Sequence, residues 1–268
     1  MRIAKSSLEA IQKQFELDCN LKEAIELQKN KVYLSKSKSL SGARIVADTD
    51  IFFRAIMFMD KVYIMADEEI FAGCEEVFKD ASPEWFCKFP NLRLIDRILN
   101  EYGREIADTH IYFLPDEDFE DAKEEGPLIW LDEKDIASIK EKNEFPHALC
   151  YSPTQPDVIA VAMKNDDPVW ERELSLADQV KGMKGMAGAS QDGKYVRQIG
   201  INVREEYQGE GLAVYLTRLL KQKIMEEGLL PFYGTSESHS VSRTVAVKAG
   251  FLPAWCEIYV KKTKEKRE

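Results

Sequence analysis

The stretch from Tyr195 to Ile224 constrains the fold more than any other part of the chain. Tyr195 to Val203 alternates, with Ile199, Ile201 and Val203 on one side and Gln198, Gly200 and Asn202 on the other. That period of two belongs to a half-buried strand. Leu212, Leu216, Leu219, Leu220 and Ile224 then recur at helical spacing, and Gly228 stands where a helix C-cap belongs. Between strand and helix lies Gln208-Gly209-Glu210-Gly211-Leu212-Ala213. Two glycines let the backbone curl tightly, with no Cβ between its amides and a ligand. The following helix points its free N–H groups and positive dipole end back at the turn, which suits a phosphate or pyrophosphate. A plain strand-to-helix connection has the same look, and the turn alone leaves both readings open.

Two phosphate-binding motifs can be tested on the residues. The dinucleotide fingerprint needs a third glycine for helix–strand packing, and Val214 stands in its place. A P-loop needs a terminal Gly-Lys-Ser/Thr, which the sequence lacks. The surrounding pattern is mixed α/β. Strands are expected at Leu128–Leu131, Asp157–Met163 and Met183–Ala189, with a helix at Asp132–Lys142 and a polar insert at Lys164–Lys181. A strand at Leu230–Thr235, a helix at Val241–Ala249 and a strand at Phe251–Val260 follow.

Gln208-x-x-Gly211-x-Ala213 resembles the acyl-CoA signature Gln/Arg-x-x-Gly-x-Gly/Ala of the GNAT superfamily of N-acetyltransferases. Upstream, Val203-Arg204-Glu205-Glu206-Tyr207 is similar to the family's Val-x-Pro-Glu-Tyr strand exit, with Glu205 in place of proline. Downstream, the run from His239 to Phe251 resembles Asn-x-x-Ser-x-x-Val-Ala-x-Lys-x-Gly-Phe, with histidine at the Asn position. The resemblance covers roughly Leu128 to Val260. It implies an α/β (α+β) fold: a GNAT domain with a mixed, splayed central sheet over 126–268, after a smaller mixed α/β domain over 1–125. The whole chain is similar to bacterial two-part acetyltransferases, so the first half reads as a diverged second copy of the fold or a substrate cap.

The resemblance implies direct acetyl transfer from acetyl-CoA to a primary amine of a small molecule or protein. Ile201, Asn202 and Val203 would meet the pantetheine arm as an added strand. Gln208, Gly209, Glu210, Gly211, Leu212 and Ala213 would hold the pyrophosphate, with further contacts from His239 and Ser242. A strand amide near Ile201 would polarise the thioester carbonyl. An ammonium must lose its proton before attack, so a base is wanted. Glu237 and His239 are the candidates, with Glu171 and Glu173 behind them; a solvated loop carboxylate and a helix-entry cap are the plain alternatives. The family's usual tyrosine acid falls at Ala246, so that role cannot be carried over. Ser242 and Tyr233 are the remaining hydroxyls, though a serine there also caps a helix and a strand tyrosine also packs. The competing reading is a non-catalytic acyl-CoA-binding or regulatory module on the same scaffold.

Charge and composition narrow the setting. The net charge of -10 weighs against sequence-blind binding of nucleic acid, and mildly favours cationic acceptors. The first twenty residues contain no uncharged apolar core of a signal peptide, and the richest apolar stretch, Ile51–Met65, is broken by Arg54, Asp60 and Lys61. Five cysteines, odd in number and without C-x-x-C spacing, read as buried reduced thiols in a cytoplasmic protein, with no metal and no disulfide framework. No membrane partner is expected, and a homodimer is allowed. The run Asp116–Glu125 carries seven acids against one lysine before Gly126-Pro127, which places an exposed connection and a domain boundary near residue 125. In the first half, helices are expected at Leu8–Asp18, Asp67–Phe78 and around Leu92–Leu99, and strands at Lys61–Met65 and His110–Leu114. Trp130, Trp170 and Trp255 are candidates to line a pocket, with the core as the default for Trp130 and Trp255.

Overall fold

The computed structural model describes residues 2–21, 31–45, 51–165 and 174–263. In chain order its elements are α1 (Lys5–Asp18), β1 (Lys31–Lys36), β2 (Phe53–Phe58), β3 (Lys61–Ala66), α2 (Glu68–Phe78), α3 (Phe89–Asn100) and β4 (Arg104–Pro115). Then come β5 (Leu128–Asp132), α4 (Glu133–Ile139), β6 (Asp157–Lys164), α5 (Leu176–Gln179), β7 (Met183–Ser190) and β8 (Val196–Val203). The last four are α6 (Leu212–Glu226), β9 (Leu230–Ser236), α7 (Ser240–Lys248) and β10 (Phe251–Lys262). This is a mixed α/β chain. It divides into two compact units: one takes in Phe113–Gly234 and Ser240–Leu252 with the start of the chain up to Ile11; the other takes in Gln12–Tyr112, Thr235–His239 and the chain from Pro253.

In the first unit the strands lie in the order β9-β8-β7-β6-β5. The pairs β5–β6, β6–β7 and β7–β8 are antiparallel, and β8–β9 is parallel. α6 packs on β6, β7 and β8, burying Leu216, Leu219, Leu220 and Ile224, the apolar positions its spacing singles out. It ends as expected, with Gly228 at φ 75° just past the C-cap. α4 begins on a capping box between Asp132 and Asp135. It stops at Ile139 and tightens into a 3-10 turn over Lys140–Lys142, shorter than the periodicity suggests. The acidic run is not a free connection. Its main chain lies along α6, where the Arg218 guanidinium donates to the Glu120 carbonyl at 2.9 Å and the Tyr215 hydroxyl accepts the Glu125 N–H at 2.5 Å.

The second unit has β1 parallel to β3, β3 antiparallel to β2, and β2 antiparallel to β10. α1, α2 and α3 fall where expected, and Asp67 caps α2 by accepting from the Glu69 N–H. The sequence pattern does not mark β1 or β2. β2 and β3 form a hairpin with Phe58 opposite Lys61, turning on Met59 at φ 53°. A two-residue turn with a left-handed first position is ordinarily marked by glycine or asparagine, so Met-Asp hid it.

Four buried charges join three segments of this unit. The Arg44 guanidinium reaches Asp18 at 2.6 Å and Glu257 at 2.6 Å. Arg54 reaches the other Glu257 oxygen at 2.9 Å. The Gln14 amide donates to Asp18 at 2.9 Å and the Trp255 indole to Glu257 at 2.7 Å. None of the four is more than 6% exposed. Two cations and two carboxylates balance, so the group is tolerated only because each charge has its partners.

Among the thiols, Cys19 and Cys74 are buried as expected, but Cys87 and Cys150 are exposed and Cys256 is half-buried. Burial raises Cys19 and Cys74, the latter to about 12, and together with the Glu237 and Glu257 carboxylates raises the half-buried Cys256 to about 11, away from the nucleophilic range. Trp255 is in the core. Trp130 is half-buried instead, and its indole donates to Glu124 at 2.9 Å. No helix among the described residues is long and apolar enough to cross a membrane, and no group of three or more His, Cys, Asp or Glu there could hold a metal ion.

Candidate functional site

The geometry of the site begins with one strand outrunning another. β8 pairs with β7 up to Val203, which lies opposite Gly185. Its ladder with β9 runs from Val196–Leu230 and ends at Ile199–Tyr233. Consecutive residues of a strand turn their main-chain groups to opposite sides. The Arg204 N–H donates to Lys184 on the β7 side at 3.0 Å, and the Tyr195 carbonyl accepts from Leu230 on the β9 side at 3.0 Å. By that alternation the main chain of Ile201 and Val203 faces the β9 side, beyond the last rung. The Val203 carbonyl accepts from the Gln208 side chain at 3.0 Å, which bends the chain into the turn. Asn202 belongs to the opposite set. Its main chain faces Met186 of β7, and its side-chain oxygen accepts the His147 N–H at 3.1 Å.

The turn follows directly. Gly209 sits at φ 85° and Gly211 at φ 87°, and a Cβ built on either would meet nothing within 4 Å. These glycines are required by backbone conformation, not by crowding, and the space before them is open. Gly211 is the N-cap of α6, with no side chain capping the helix and no acid in its first turn. The first helical bond is from the Tyr215 N–H to the Gly211 carbonyl at 3.0 Å, so the N–H groups of Leu212, Ala213 and Val214 have no acceptor within the helix. Glu210 is exposed beside them. Uncapped amides, a positive dipole end and an open approach fit a diphosphate.

The opposite face of the strands is closed by main chain. Gly188 and Gly200 are partners across β7–β8. A Cβ at Gly200 would come within 2.1 Å of the His147 carbonyl oxygen, and one at Gly188 within 2.3 Å of that of Ala148. Glycine inside a strand marks such close approach, so the sequence itself carries the signal. Gly200→Ala is expected to lower the unfolding free energy by about 2–3 kcal/mol, because backbone and not a flexible side chain must give way. Urea unfolding measures it; a loss under 0.5 kcal/mol would contradict the packing.

The hydroxyl candidates meet. Tyr233, 3% exposed, shares a hydrogen bond of 2.9 Å with Ser242 in the first turn of α7. Burial raises the Tyr233 phenol and the Ser242 bond opposes that. The base candidates Glu237 and His239 belong to the second unit, on the exposed turn between β9 and α7. Glu237 accepts from the Thr109 hydroxyl at 2.6 Å, and the His239 N–H donates to the Ser236 carbonyl at 3.1 Å. Glu171, Glu173 and Trp170 lie outside the described residues. A cavity of about 740 Å³, lined by Trp130, Glu124, Asp132, Arg197 and Lys223 among others, sits by the far end of α6. Lys223 is eleven residues along the helix from Leu212, about 16 Å at 1.5 Å per residue, so this cavity is not the diphosphate cradle.

Neither a family model nor a curated protein sequence matches the chain. Solved structures it resembles include a GCN5-related N-acetyltransferase from Kribbella flavida, at 14% identity over 64% of this chain and 64% of that one, with a TM-score of 0.40. An acetyltransferase of the GNAT family from Colwellia psychrerythraea overlaps at 11% identity over 59% of this chain and 57% of the other, TM-score 0.38. A GCN5-related N-acetyltransferase-like protein from Streptococcus suis overlaps at 14% identity over 94% of this chain and 99% of its own, TM-score 0.43. The overlap thus spans less than two thirds of the Kribbella and Colwellia chains. With TM-scores this low, the functional reading rests on this chain's own residues.

Proposed function

We propose that the chain is a GNAT-superfamily acetyltransferase that moves an acetyl group from acetyl-CoA directly to a primary amine of a small molecule or protein. The observation that carries this reading is the end of β8. Its main chain continues past the last β9 rung at Ile199–Tyr233 and delivers two left-handed glycines to the uncapped start of α6. An extended amide-bearing arm and a diphosphate need these two features, in this order along the chain. The sequence signatures at Gln208–Ala213 and His239–Phe251 point the same way.

Acetyl-CoA brings an acetyl group activated as a thioester. The Ile201 and Val203 main chain aligns the arm as an added strand, and the amides of Gly209 to Ala213 meet the diphosphate. The Ile201 N–H donates toward a carbonyl oxygen as negative charge gathers on it. Holding amine and thioester together supplies much of the acceleration. Glu237 and His239 remain the base candidates for a water-linked proton path.

The test is thiol release from acetyl-CoA across a panel of primary amines, with CoA affinity measured by calorimetry. Turnover on at least one amine is the expected result. CoA binding without turnover on any amine would move the assignment to a binding or regulatory module. No CoA binding at all would defeat both.

A further inference from the structure

We infer that Ser242, held by the buried hydroxyl of Tyr233, returns a proton to the departing sulfur in the transfer proposed above, on which this inference rests. Tyr233 is the β9 member of the last rung, opposite Ile199. Residues paired across neighbouring strands share a sheet face, so Tyr233 stands on the face of Ile199, Ile201 and Val203. That is the α6 side, since a Cβ at Gly185, the partner of Val203, would touch both Val203 and Leu212. Ser242 is half-buried while Val241, Arg243 and Thr244 around it are exposed, so it is the residue of that turn facing inward. Its oxygen lies 2.9 Å from the Tyr233 hydroxyl. Ile201, whose N–H faces the open edge, is two residues past the rung, about 7 Å along the strand. The two hydroxyls therefore stand beside the edge that takes the thioester.

The proton balance closes without any further reactant. The amine lone pair forms the C–N bond at the carbonyl carbon, and the C–S bond breaks with its electron pair on sulfur. Ser242 Oγ gives its proton to that sulfur and takes the proton of the Tyr233 hydroxyl. The nitrogen sheds one proton to solvent in becoming an amide, and solvent restores one to Tyr233. Ser242 is the catalytic residue of the pair. Tyr233 acts only through it and is the positioning residue.

The experiment compares Ser242→Ala, Tyr233→Phe and Ser242→Thr with the parent chain on an amine that it acetylates. Ser242→Ala is expected to lower kcat about 100-fold with the KM for acetyl-CoA within threefold, and Ser242→Thr to recover most of the loss. With an acetyl aryl thioester, whose thiolate leaves without needing a proton, the deficit of Ser242→Ala should shrink below tenfold. Tyr233→Phe keeps the ring and supplies the same readout should Ser242→Ala lower the melting temperature. A kcat for both variants within threefold of the parent, or an equal deficit with the aryl thioester, overturns the relay while leaving acetyl transfer intact. A parent chain that turns over no amine overturns the relay together with the reading beneath it.

Discussion

Arg44→Met is expected to lower the unfolding free energy by about 3–5 kcal/mol at pH 7, the usual cost of removing one member of a buried charge group. Arg44 is 2% exposed and bridges Asp18 to Glu257. Without it, two buried carboxylates share the single cation Arg54, which reaches Asp18 only at 3.6 Å. The methionine fills similar volume, so the loss reports charge, not a cavity. Acid should expose the same network. Burial by itself would raise the Glu257 carboxyl, but Arg44 and Arg54 outweigh it and bring its pKa from 4.5 to about 2. A carboxyl lowered on folding contributes stability that is present above its unfolded pKa and lost as pH falls through the folded one. The window is therefore pH 4.5 down to 2, and 2.5 units correspond to about 3 kcal/mol. Urea midpoints across that window should fall for the parent chain and stay flatter for Glu257→Gln. A midpoint for Arg44→Met within error of the parent, or equal acid slopes, would count against this account.

Gly211→Glu should weaken CoA binding at least 100-fold, about 2.7 kcal/mol. The change acts twice. Gly211 sits at φ 87°, where a side chain costs roughly 1–2 kcal/mol, and the carboxylate lands at the helix start where an anion is to bind. Gly211→Ala separates the two effects, since it keeps the backbone penalty without the charge, and it should bind CoA more tightly than Gly211→Glu. Affinity measured by calorimetry on protein with an unchanged melting profile decides the matter. An affinity for CoA within threefold of the parent would remove the diphosphate from this turn.

Much of the C-terminal half could be read directly. β8, α6 and their turn are local features: alternation, helical spacing, and glycines where φ must be positive. Their signals lie within thirty residues of chain. The β2–β3 hairpin could not be read, because its turn is Met-Asp, and Arg54 looked like an interruption of an apolar stretch when it is a member of a buried ion group. The site divides in the same way. The glycines and the helix start were visible, and so were the hydroxyls of Tyr233 and Ser242 as separate candidates. Their hydrogen bond was not, since nothing in residue spacing says that a strand side chain points at a particular turn of the next helix.

The periodic elements, the left-handed glycines and the uncapped start of α6 follow from the sequence alone, because each depends on the conformational preference of a few neighbouring residues. It took the folded chain to establish that the β8–β9 ladder stops at Ile199–Tyr233, that His147 and Ala148 close on Gly200 and Gly188, and that Glu257 completes a charge group with Asp18, Arg44 and Arg54. Those facts are partnerships between segments up to more than two hundred residues apart. Partner choice follows from burial, and burial is a property of the folded chain.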